Sequence, residues 1–109
     1  MNYYKFSFFL LVIFKFNLSF SQAQSNSPSL KGKNIIFVYG GSLHSPKESA
    51  DLFVPILEAE GAKVHLFDNF SVYEDQKLMS KTDLIIQAFT DAFTPVENRM
   101  NNKQFKGLQ

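Results

Sequence analysis

The chain has no cysteine and no tryptophan among its 109 residues. Lack of a thiol excludes, within these residues, disulfide cross-links, a thiolate nucleophile and acylation of a lipoprotein cysteine, whatever the redox state of the compartment. Histidine is nearly as scarce. His44 and His65 lie 21 positions apart with acids scattered around them, which is not a metal-ligand spacing. Neither sign of charge dominates either: eleven basic residues face ten acidic ones, a formal net charge of +1, so there is no electrostatic case for a nucleic-acid partner. Long apolar runs are absent except at the very N-terminus.

There, Lys5 precedes Phe6-Ser-Phe-Phe-Leu-Leu-Val-Ile-Phe14, and a polar-leaning Asn17-Leu-Ser-Phe-Ser21 follows. This is the n-, h- and c-region order of a secretory signal over residues 1–21, with cleavage after Ser21 or Ala23. The run is too short to span a bilayer and Lys15 interrupts it, so a permanent membrane helix is the weaker reading. Secretion or periplasmic export is therefore expected, with an uncleaved, membrane-associated N-terminus as the alternative. Removing residues 1–21 takes away six of the thirteen phenylalanines and two lysines, leaving 88 residues with nine basic against ten acidic. That length suits one domain, or part of one. Residues 22–32 are rich in Ser, Gln and Asn without apolar period and read as a flexible spacer.

The most informative stretch begins at Asn34. Ile35-Ile-Phe-Val-Tyr39 is a continuous β-branched and aromatic run, which suits a strand covered on both faces. Gly40 and Gly41 stop it. Ser45, Pro46 and Glu48 then coincide with an N-cap, an N1 proline and the third member of a capping box, so a helix is expected from Pro46. Ala50, Phe53, Val54 and Leu57 recur on one helical stripe, Gly61 supplies the stop, and Pro55 removes one intrahelical donor and predicts a kink. A second strand is expected over Ala62–Asp68. Ser71 and Glu74 suggest a capping box opening a short helix through Met79, and Leu84-Ile-Ile-Gln-Ala-Phe89 a third strand. Thr94-Pro-Val-Glu97 repeats the capping pattern, so a helix is expected near Pro95. The order β-α-β-α-β-α predicts an α/β fold with a parallel sheet and right-handed crossovers. Doubly wound domains commonly carry five or six strands, so residues 33–109 are expected to be the first three β-α units of a larger domain.

Lys33-Asn-Ile-Ile-Phe-Val-Tyr-Gly-Gly41, Ser45-Pro-Lys-Glu-Ser-Ala-Asp-Leu-Phe-Val-Pro-Ile-Leu-Glu58, Gly61-Ala-Lys-Val64 and Thr82-Asp-Leu-Ile-Ile-Gln87 resemble the start of the trehalose-utilisation (ThuA-like) proteins. The resemblance implies a flavodoxin-like sheet related to class I glutamine amidotransferases, and processing of trehalose and other glycosides, including keto-sugars. It implies a carbohydrate ligand. The family's Trp-His-Gly-Gly segment is not among these residues, and the tryptophan that commonly follows its paired glycines is replaced here by Ser42-Leu-His44.

A strand that empties through glycines into a helix N-terminus sits where open α/β sheets bind ligands. His44 is the candidate catalytic residue, matching the family histidine as general acid or base, or else it is a solvated loop residue. Tyr39, Gly40, Gly41, Ser42 and Asp91 are candidates for substrate binding: Tyr39 by stacking or else as core, Asp91 from the carboxyl-edge loop or else as a solvated carboxylate. Asp68 follows the second strand where dinucleotide folds place a ribose-binding acid, but the G-x-G-x-x-G spacing is missing and an Asx-turn explains it better. His65 reads as packing. Three functional classes follow: a secreted ThuA-like carbohydrate-processing enzyme, a non-catalytic carbohydrate-binding or inactive domain on the same fold, and a flavin- or nucleotide-binding protein, for which the Gly-Gly-Ser turn supplies only part of a phosphate loop. No cofactor is specified.

Overall fold

The computed structural model describes residues 29–109. The expected signal and most of the spacer lie outside these residues. Three parallel strands form the sheet: β1 (Asn34–Gly41), β2 (Lys63–Phe67) and β3 (Leu84–Thr90), in the spatial order β2-β1-β3. The register pairs Ile35 with Val64 and Leu84, and carries β1 on to Gly41 opposite Thr90. The strand expected from an uninterrupted apolar run is thus the central one. Its Ile35, Ile36, Phe37 and Val38 are at most 1% exposed, which is how a strand covered on both faces reads. Burial of such side chains contributes about 1.5–3 kcal/mol each.

Helix α1 (Pro46–Ala59) crosses from β1 to β2 on the face that carries Ile35 and Phe37. Ala50 is buried there, with Val54 and Leu57 half-buried beside it. Phe53, expected on the same stripe, is 50% exposed, and Leu52 and Ile56 are exposed with it. Helix α1 runs through Pro55 to Ala59, and Gly61, at φ 92°, turns the chain into β2. Residues at the end of the expected spacer are built into this corner: Gly32 N–H donates to the Gly61 carbonyl at 2.8 Å and Lys33 N–H to the Leu30 carbonyl at 3.0 Å.

The opposite face, carrying Ile36 and Val38, is closed by a 3₁₀ turn (Phe70–Glu74), a short helix α2 (Gln76–Met79) and helix α3 (Asn102–Leu108). Phe70, Val72 and Tyr73 complete the core, and the Tyr73 hydroxyl donates to Gln87 Oε1 of β3 at 2.8 Å. Burial raises the Tyr73 phenol above its ordinary pKa. At the amino end of the sheet, Asp83 Oδ2 accepts the Asn34 N–H at 2.8 Å. That bond, assisted by Lys33, holds the Asp83 carboxyl below its ordinary pKa.

All three expected capping boxes are replaced. Ser45 precedes α1 with φ 45° and makes no side-chain cap bond, because a left-handed residue cannot aim its hydroxyl at the first turn as an extended N-cap does. Asn69 and Asp75 cap the segments after β2, their side-chain oxygens accepting the Ser71 and Leu78 N–H groups, so Ser71 is a bond donor and not a cap. After Pro95 the chain makes only a 3₁₀ turn (Val96–Asn98), without a side-chain cap. The α-helix starts at Asn102, where Asn101 and Gln104 form the reciprocal capping box.

Candidate functional site at the carboxyl edge of the sheet

Crossovers on opposite faces of β1 make the carboxyl ends of β1 and β3 a strand-order switch point, the place where open α/β sheets leave a crevice. Two loops meet there, the Ser42–Ser45 loop after β1 and the Asp91–Arg99 segment after β3. Gly40 and Gly41 let them approach. Gly41 has φ 89°, and a Cβ on it would collide with the Thr90 backbone; a Cβ on Gly40 would come within 2.6 Å of the Phe89 ring.

Thr94, only 3% exposed, fastens the two loops together. Its Oγ1 accepts the Ser42 N–H at 3.1 Å and donates its single proton to the Thr90 carbonyl at 2.7 Å. Ser42 Oγ donates to the Phe93 carbonyl at 3.2 Å, and Arg99 Nε donates to the Thr94 carbonyl at 2.7 Å. Thr94 is thus a bridge between loops and not the helix cap its sequence context suggests. No local pattern marks this role, because Ser42 lies 52 residues away.

His44 follows directly, exposed and left-handed at φ 67°, next to Ser45 at φ 45°. Two consecutive non-glycine residues in this region cost on the order of 1–3 kcal/mol each, a strain that surrounding structure must sustain. His44 lines a cavity of about 280 Å³ with Pro46, Ser49 and the β3 residues Gln87, Phe89 and Thr90. Of the residues singled out in sequence, His44 alone lines it. Gly40 and Gly41 shape the strand ends, Ser42 is bound to Thr94, Tyr39 is half-buried, and Asp91 is exposed with its carbonyl accepting the Thr94 N–H at 3.0 Å. Asp68 accepts from Asn69 Nδ2 at 2.9 Å, while Asn69 makes the Asx bond that the sequence suggested for Asp68. His65 is half-buried within β2.

A larger cavity of about 440 Å³ opens at the other end of β3, between Thr82–Ile85 and Gly107–Gln109. Its single ionisable side chain, Asp83, is already committed to Asn34, so chemistry is better served at the carboxyl edge. Among the described residues no three His, Asp or Glu side chains gather as a metal-ion ligand set, and no helix is long and apolar enough to cross a membrane.

Fold and site together define a parallel α/β protein with a histidine-bearing crevice at its switch point. Compared with known protein families, characterised proteins and solved structures, the chain matches none.

Proposed function

We propose that the chain is a secreted or periplasmic carbohydrate-processing protein of the ThuA-like kind, built on a flavodoxin-like sheet and acting on glycosides or keto-sugars such as trehalose derivatives. The observation that carries this reading is His44, held left-handed beside the N-terminus of α1 and lining a cavity at the switch point. An imidazole can give a proton to a leaving oxygen or take one from a carbon next to a sugar carbonyl. The strand and helix segments that resemble the ThuA-like proteins support the substrate class. The n-, h- and c-region order of residues 1–21 supports export.

A second reading, a non-catalytic carbohydrate-binding domain, is favoured by one specific feature: His44 is exposed, and no side-chain hydrogen bond among the described residues orients its ring. Catalytic bases are commonly oriented by a third group. Product analysis separates the two. Incubation of the purified exported protein with an oxidised (keto) disaccharide releases monosaccharide under the first reading; binding without release supports the second, and neither binding nor release contradicts both.

A further inference from the structure

A third, smaller cavity of about 150 Å³ lies at the carboxyl end of β2, and six side chains decide what it can hold: Asp68, Asn69, Phe89, Glu97, Arg99 and Gln104. Phe89 is its half-buried apolar wall, laid across Gly40, where a side chain on the strand would meet the ring, and packed on Phe70 with centroids 4.2 Å apart. Around that wall stand planar polar groups of both kinds.

Each of three polar groups is fastened at one end, leaving the other end to the cavity. Asn69 Oδ1 accepts the Ser71 N–H at 2.9 Å, and its Nδ2 holds Asp68 Oδ1 at 2.9 Å, leaving the second carboxylate oxygen of Asp68. Gln104 Oε1 accepts the Asn101 N–H at 3.0 Å, leaving its amide protons. Arg99 Nε is used by the Thr94 carbonyl, leaving the two terminal nitrogens of the guanidinium. Among the described residues Arg99, Asp68 and Glu97 form no ion pair with one another, although they share this one small cavity.

We infer that this cavity is a subsite for one ring of a neutral polyhydroxylated ligand, a sugar unit lying with its C–H face on Phe89. An anion would meet two carboxylates and a cation would meet the guanidinium. Vicinal hydroxyls satisfy both, donating to Asp68 and Glu97 while accepting from Arg99 and Gln104, and charge-assisted bonds of this kind are the strong ones. Fastened side chains lose little freedom on binding. The inference rests on the carbohydrate reading above and adds a place and a set of contacts to it. It also gives Thr94 a double role, since the residue that ties the His44 loop to β3 also anchors Arg99.

The test is an NMR titration of the full chain with glucose and with trehalose, following the Asn69 and Gln104 side-chain amides and Arg99 Nε–H. Both sugars should shift these signals, and Glu97→Gln and Arg99→Lys should each weaken the response about tenfold, the second because an ammonium lacks the guanidinium fork. Glu97 is exposed, so that variant retains the fold. Sugar-induced shifts confined to His44, Ala88 and Thr90 would overturn the inference and leave the carbohydrate reading standing. No sugar-induced shift anywhere would overturn both. Preference for inorganic phosphate over either sugar would overturn the neutral-ligand assignment.

Discussion

The Ser42 amide donates to the Thr94 hydroxyl across 3.1 Å, joining two loops that are 52 residues apart in sequence. Thr94 is buried, so its own hydroxyl has no alternative partner in solvent. Thr94→Val keeps the shape and removes the hydroxyl, leaving the Ser42 N–H and Thr90 carbonyl without their bonds. A loss of about 1–3 kcal/mol in chemical denaturation is expected, with faster hydrogen exchange at Ser42. Thr94→Ser should retain most of the stability; equal loss in both variants would place the effect in the methyl group.

His44 is expected to oppose stability and serve function. At φ 67° a glycine carries no Cβ penalty, so His44→Gly should leave the stability unchanged or increase it by up to about 1 kcal/mol. Thermal unfolding measures this. A clear destabilisation would show that the imidazole contributes packing outweighing the strain.

Helix α3 docks through Gly107. A Cβ there would strike the Tyr73 carbonyl, and the helix cannot move away without uncovering Leu108 and Met100 at the core. Gly107→Ala improves helix propensity, yet the clash wins: a net loss of about 1–3 kcal/mol is expected. Stabilisation instead would mean that α3 has room to shift.

Tyr73 gives the fold an alkaline limit. Burial raises its pKa in the folded state, so the unfolded chain loses the phenolic proton first as pH rises. Its contribution is whole below the unfolded value of about 10 and declines as pH rises from there through the folded value. Denaturation midpoints for the wild type should fall more steeply above that pH than those of Tyr73→Phe. Parallel curves would contradict the assignment.

The sheet was readable in advance because its signals are local. Ile35 to Val38 form a run without a polar break, and Pro46 can begin a helix but not continue a strand; Gly40 and Gly41, expected to stop the strand, are instead its last two residues, paired with Phe89 and Thr90. The caps were not readable, since the Ser-x-x-Glu spacing at Ser45 meets a backbone that is left-handed at φ 45°, which the spacing alone does not show. Asn101 and Gln104 did carry a local signal, an Asn-x-x-Gln spacing that the Thr94-Pro95 pattern outweighed. Within the candidate site, His44 was legible as the sole histidine on a strand-to-helix loop. Arg99 and Gln104 were not, because their relation to Asp68 exists only after α3 has folded back over the sheet.

The central claim is that His44 acts on a sugar substrate at the switch point. It is tested most directly by kcat/KM of wild-type and His44→Ala protein on an oxidised (keto) disaccharide across neutral pH. The account predicts turnover by the wild type and a loss of about a hundredfold or more in the variant. Equal rates for the two proteins would contradict it.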